Sequence, residues 1–258
     1  MRVIRDVGYI KRRKRVATLT AIGGVALLGF AFWLSVSAGA KNTSGILLAY
    51  IPLLAGTALF HMGMQQVSQW NRTPRNDESL DALLKPLGEK YTLMHFVPAG
   101  NKRIVPHVLV HPGGVLSLSV RDLAGDISYA DGKWRKSSSG GISRLFGMGG
   151  PQLGNPSADA ATDVAALEVA FAGTGTEAFE TDGAVVFLNR LANLVDIDEP
   201  DFPVMNGEGL LQYIRSLPAD PDFKTPDRQA VVELLAQGEE VEEAERAPTR
   251  RPVKRRAA

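Results

Sequence analysis

Two apolar stretches lying almost end to end limit this chain more than any other feature. Residues 16–38 and 45–64 are 23 and 20 residues long, and neither holds Asp, Glu, Lys or Arg. At 1.5 Å rise per residue, a helix of either length crosses a hydrocarbon core of roughly 30 Å. Only residues 39–44 separate them, with AKNTS (residues 40–44) as the turn, a connection that permits an antiparallel hairpin and little else. Pro52 falls inside the second stretch, where a membrane helix tolerates it with a kink. Trp33 and Trp70 stand near opposite ends of their stretches, where indole rings favour the interface. A secretory signal is the rival reading, with Ala38-Gly39-Ala40 as a cleavage site. Its apolar run is about 7–15 residues, shorter than this one, and no second span follows it directly.

Charge orients the hairpin. Arg2, Arg5, Lys11, Arg12, Arg13, Lys14 and Arg15 precede the first span, with Asp6 the one acid among them. Lys41 lies between the spans, and Arg72 and Arg75 follow the second. Basic residues stay on the cytoplasmic side, so both termini are expected in the cytoplasm of a bacterial-type plasma membrane. Lys11, Arg12, Arg13, Lys14 and Arg15 are then placed to touch anionic headgroups. A second basic cluster, Arg250, Arg251, Lys254, Arg255 and Arg256, ends the chain. With an overall formal charge of +1, residues 16–249 carry −10, which argues against a body that grips a phosphate backbone by bulk charge. No aromatic residue interleaves the C-terminal arginines, so this cluster fits a weak electrostatic partner contact better than base readout. The absence of cysteine excludes disulfides, thiolate nucleophiles and Cys-ligated metal.

The remainder reads as an α/β domain. Residues 71–78 form a polar linker, and Leu80, Leu84 and Leu87 recur at helical spacing in residues 79–91. Strand-like runs follow at 91–97, 104–110, 115–120 and 126–129, separated by Pro- and Gly-containing turns. Residues 137–154 are too rich in Gly and Ser for a packed element and read as a mobile loop. A helix at 156–172 with Ser157 as its cap, a strand at 183–188, a short strand at 202–205 and a helix at 208–217 complete the domain. A Pro-rich connector leads to a helix at 228–236 and a polar tail expected to be disordered.

The stretch VPHVLVHPGGVLSLSVRDLAGD, residues 105–126, resembles the nuclease-related domain (NERD) family of the restriction-endonuclease-like superfamily. Pro106-His107-Val108-Leu109-Val110 is similar to that family's first core strand, and His111-Pro112-Gly113-Gly114 to its turn. Residues 115–120 match its second strand and Gly125 a later glycine, while Trp134 and Asn155-Pro156 fall where it has an aromatic and a helix start. Residues 184–189 and 203–214 look like its late strand, short strand and helix, so the likeness runs in order over about residues 79–217. The fold it implies is a mixed central sheet flanked by helices, behind a transmembrane helical hairpin. The expected boundaries are 1–15, basic N-terminus; 16–70, hairpin; 71–78, linker; 79–217, nuclease-like domain; and 218–258, linker, short helix and tail.

The resemblance also implies a chemistry, and the residues here depart from it. In the superfamily, two carboxylates hold Mg²⁺ and a lysine two residues after the second acid acts on the attacking water. Residues i and i+2 of a strand share a face, so acid and lysine converge. Here the first acid falls at Pro106, the second at Ser119, the lysine at Arg121 and a helix glutamine at Asp159. Proline has no ligand atom in its side chain, a serine hydroxyl is a poor Mg²⁺ ligand, and a guanidinium stays protonated. Asp159, Asp122 and Asp126 are the candidates for a relocated carboxylate. Asp122 is set on the opposite sheet face, and Asp159 is the better one because the resemblance implies that its helix position faces the site. His107, His111 and His61 read as packing or interfacial residues. No cofactor is expected, and Mg²⁺ only if nuclease activity survives.

The function expected is a binding, scaffold or accessory subunit of a membrane complex, with lipids and other membrane proteins as partners and nucleic acid disfavoured. The alternatives are a membrane-tethered Mg²⁺-dependent nuclease and a nucleic-acid-binding module without cleavage.

Overall fold

A computed structural model describes residues 1–38, 43–137, 152–174, 179–236 and 241–243. It begins with a strand, β1 (Arg2–Asp6), and turns directly into a helix, α1 (Val7–Ala38). The Asp6 carboxylate accepts the main-chain N–H of Tyr9 at 2.7 Å, satisfying one of the donors a helix start leaves open. A second helix, α2 (Thr43–Trp70), runs back along α1. Pro52 lies inside it. Both helices are long and apolar enough to cross a membrane, and only 17% of the most apolar window of each is buried.

Apart from Ile10, near the start of α1, the buried positions described in the hairpin are small. Ala17, Ala21, Gly24 and Ala31 of α1 are buried, as are Ala49, Gly56 and Gly63 of α2. Their spacing follows the seven-residue repeat of close helix pairs. A Cβ at Gly24 would lie 2.3 Å from the backbone nitrogen of Phe60, and one at Gly63 2.4 Å from that of Ala21. Only glycine allows so close an approach. The outside is the reverse: Leu19, Ile22, Phe32, Trp33, Ile51 and Leu54 are each about three-fifths exposed or more.

After five residues that include Arg72 and Arg75, helix α3 (Asn76–Leu84) begins, inside the segment expected as a linker. Strands β2 (Thr92–Pro98), β3 (Ile104–His111) and β4 (Gly114–Arg121) form a meander. Then come β5 (Gly125–Ala130), β6 (Lys133–Ser137), α4 (Pro156–Phe171), β7 (Glu180–Phe187), β8 (Ala192–Ile197) and β9 (Val204–Asn206). Helices α5 (Gly207–Ser216) and α6 (Thr225–Ala236) and the strand β10 (Val241–Glu243) end the described chain.

The main sheet is seven-stranded, in the order β10-β1-β2-β3-β4-β7-β9; a separate three-stranded sheet has the order β6-β5-β8. The main sheet is mixed, since β1–β2, β4–β7 and β7–β9 are parallel and the other pairs antiparallel. One face packs Met94, Val108, Val110 and Val115 under Leu167 and Phe171 of α4 and Val231, Val232 and Leu235 of α6. The other packs Leu93, Leu109, Leu116, Leu118 and Val186 under Leu80 and Leu84 of α3 and Leu210 and Ile214 of α5. The alternation of a strand buried on both faces explains this division.

Three expectations change here. Residues 2–6, read as part of a basic tip, form a strand inside the sheet, between β2 and β10. Cleavage after Ala40 would therefore remove both β1 and α1. The tail read as disordered supplies β10, paired antiparallel with β1. The cap of α4 is Asn155, whose side chain accepts the N–H of Ala158 at 3.1 Å, with Pro156 at the first helical position. Ser157 instead accepts the indole N–H of Trp134 at 3.0 Å. The Gly- and Ser-rich loop falls, for residues 138–151, outside the described residues.

Candidate functional site

Two polar clusters lie on opposite faces of the main sheet. The first gathers the positions singled out from the nuclease resemblance. Val108 of β3 pairs with Ser117 of β4; two residues farther along each strand stand Pro106 and Ser119. Ser117 and Ser119 alternate with the apolar Leu116, Leu118 and Val120 and so face α4. Both hydroxyls are buried, and neither has a hydrogen-bond partner among the described residues. Arg121, at the end of β4, forms an ion pair with Asp159 in the first turn of α4. Its Nε also donates to the Leu153 carbonyl at 3.0 Å and its Nη1 to the Val120 carbonyl at 3.1 Å.

One turn along α4, buried Asp163 pairs with Arg103. Burial raises the Asp163 pKa, and the hydrogen bond and charge of Arg103 offset only part of that. This face thus holds two carboxylates, each occupied by a guanidinium. Arginine is neither a general base nor a metal ligand. Asp122 and Asp126, the other acids weighed, are elsewhere: Asp122 pairs with Arg72 and accepts from Asn189 at 2.8 Å, and Asp126 accepts from Asn193 at 3.0 Å. Among the described residues, no group of three or more His, Asp or Glu side chains is placed to hold a metal ion.

The second cluster escaped the sequence reading. On the α3 face, His95 of β2 is directly opposite His107 of β3, and their Nδ1 atoms are 2.8 Å apart. The Nε2 of His95 is 2.9 Å from Asp81 Oδ1 on α3. Asp81 also pairs with Arg5 of β1, whose Nε is 3.0 Å from Asp77 Oδ2. Arg75 closes the chain by donating from Nε and Nη2 to both oxygens of Asp77, at 2.9 and 2.8 Å. Asp77, His95 and His107 are all buried.

Their environments tune these groups. Burial pushes Asp77 up, but the Arg75 hydrogen bond and the Arg5 and Arg75 charges prevail and hold it below the usual carboxylate value. Burial, reinforced by His95, drives His107 well below the usual imidazole value. His111, in the turn, is a separate case: its Nδ1 accepts the Gly113 N–H at 3.1 Å, and burial lowers its pKa to about 4.

The cluster adjoins the foot of the hairpin. Phe96, next to His95, has φ +61°, a costly conformation for a bulky residue. The β2–β3 register sets it across from Pro106, which has no N–H to offer the ladder. Its ring stacks on Tyr9 of α1 at 5.4 Å and lies 5.5 Å from Trp70 of α2. Tyr9 and Trp70 meet edge to face at 5.8 Å. Two helix ends and one strand are thereby joined through three rings.

Of the basic clusters, Lys11, Arg12, Arg13, Lys14 and Arg15 occupy the second and third turns of α1. Arg13 donates to the Tyr9 hydroxyl at 2.8 Å and lies over its ring. Arg250, Arg251, Lys254, Arg255 and Arg256 are outside the described residues. Comparison with protein-family models, with curated proteins and with solved structures finds no match to this chain.

Proposed function

We propose that this chain is an integral membrane protein whose helical hairpin holds a nuclease-like domain at the cytoplasmic face, where it works as a binding or accessory subunit of a membrane complex. The hairpin supports the membrane part. A core helix of a soluble protein would be mostly buried, whereas these two expose large apolar side chains around small-residue contacts. The headgroup layer adds about 5–8 Å on each side of the hydrocarbon core. Lys11 to Arg15 fall within that layer when residues 16–38 fill the core, each favoured by about 1 kcal/mol near anionic lipid. The domain then stands directly on the bilayer surface.

The observation that carries the non-enzymatic reading is the Arg121–Asp159 ion pair. It occupies the carboxylate expected to be the best relocated ligand for Mg²⁺. Full-length protein in detergent, incubated with plasmid DNA or RNA and Mg²⁺ or Mn²⁺, is expected to leave both intact. Cleavage that disappears in Asp159→Ala would overturn this reading in favour of the nuclease.

Orientation has its own test, made simple by a chain without cysteine. Asn42→Cys, between the helices, is expected to react with a membrane-impermeant maleimide on intact cells. Glu168→Cys, exposed on α4, is expected to react only after lysis. The opposite pattern would put the domain outside.

A further inference from the structure

The buried histidine pair has a property that a plain hydrogen bond lacks: its two acceptor atoms are the same kind of atom, and each can also carry a proton. Asp81 offers only an acceptor, so His95 presents N–H at Nε2. Its Nδ1 and that of His107, 2.8 Å apart, then share one proton between them. A proton on both Nδ1 atoms would set N–H against N–H at hydrogen-bond distance, with the His95 ring charged. We propose that the His95–His107 pair is a proton-sensitive latch that fixes the foot of the helical hairpin to the sheet, and that acid opens it.

The charges around the pair favour this behaviour. Arg5 of β1 and Arg75 before α3 supply two positive charges; Asp77, Glu78 and Asp81 of α3 supply three negative ones. From α1 and α2 come rings, Tyr9 and Trp70, packed on Phe96. These charges come close to cancelling and do not offset the burial that keeps His107 neutral, so a proton gained by the pair is better accommodated with it open. Opening has a mechanical outlet, because Phe96 neighbours His95 in β2 and its ring lies 6.0 Å from that of His107. The two strands already lack a ladder donor at Pro106, so this is where they part most easily.

The sign follows from the direction of the His107 shift. Burial keeps His107 neutral in the fold, while an unfolded histidine takes up a proton near pH 6.5. The latch is thus closed above about pH 6.5, and its closing equilibrium falls about tenfold for each pH unit below it. Asp77, held low by its arginines, does not lose its charge in that window. The inference rests on the junction alone and stands whether or not the domain is an accessory subunit.

The test uses full-length protein in lipid nanodiscs with Trp33→Phe and Trp134→Phe, leaving Trp70 as the reporter. Its emission is expected to shift to the red, reversibly, as pH falls below 6.5. His107→Asn, whose amide donates to His95 but cannot take a charge, is expected to move that transition down by at least one pH unit. An unchanged midpoint in His107→Asn, or no transition above pH 4.5 without it, would overturn the latch. Nitrogen-15 NMR of the imidazoles in the unsubstituted protein gives an independent reading should the variant not fold. The Nδ1–H···Nδ1 coupling is expected at pH 8 and lost with the Trp70 shift; its survival through the shift would refute the proposal.

Discussion

Asp77→Ala is expected to destabilise the domain by about 3–5 kcal/mol, the usual cost of taking one partner from a buried ion pair. Asp77 is 1% exposed and answers two guanidiniums, Arg5 and Arg75. Without it both cations remain half-satisfied between β1 and α3, with Asp81 and Glu78 left to them. Domains of this size are stable by about 5–15 kcal/mol, so this one substitution removes a large part of the total. Asp159→Ala is the control. Arg121 keeps its bonds to two carbonyls, and half-exposed Asp159 is a surface partner, so the expected loss is below about 1 kcal/mol. Denaturant unfolding of full-length protein in detergent, followed by circular dichroism, compares the two. Equal and small losses would show that the Arg75–Asp77–Arg5 chain does not hold β1 to the sheet.

That comparison also marks what the sequence could disclose. The two long apolar helices were legible because length and absence of charge are local properties. The meander was legible because Val, Ile and Leu alternate between turn residues. β1 was not: RVIRD carries three charges in five residues, and its partners are β2, beyond the whole hairpin, and β10, near the other end of the chain. Its charges read as topology signals until Arg5 is seen between Asp77 and Asp81. The histidine pair was hidden for a similar reason. His95 and His107 are twelve residues apart, and only the β2–β3 register sets them opposite each other; a slip of one residue would turn one ring away. The resemblance that placed Arg121 and Asp159 on adjoining elements directed attention to the other face of the sheet. The usable signal for the second cluster was the density of Asp and Arg in residues 72–81, too many for a linker that only connects.

The hairpin permits a matched comparison in which the chemical change is the same and only the position differs. Gly24→Leu and Gly63→Leu are expected to be among the most damaging single changes in the protein. Their Cβ atoms would fall 2.3 and 2.4 Å from backbone nitrogen on the facing helix, and backbone cannot rotate aside as a side chain can. Overfilling a packed contact costs about 1–3 kcal/mol and more where nothing can relax; here the whole leucine must be housed, which requires the helices to separate. Gly23→Leu and Gly29→Leu are the counterparts, since a Cβ at either meets nothing within 4 Å. All four variants gain the same apolar side chain, so insertion into a bilayer is equally favoured and only the helix contact distinguishes them. Separation also travels. The helices share their foot through Tyr9, Trp70 and Phe96, so spreading them should pull on β2 and expose the domain to protease. Limited proteolysis and thermal unfolding in nanodiscs are expected to show Gly24→Leu and Gly63→Leu losing the domain's protection while Gly23→Leu and Gly29→Leu retain it. If all four behave alike, α1 and α2 do not meet through these glycines, and the rigid connection between hairpin and sheet fails with them.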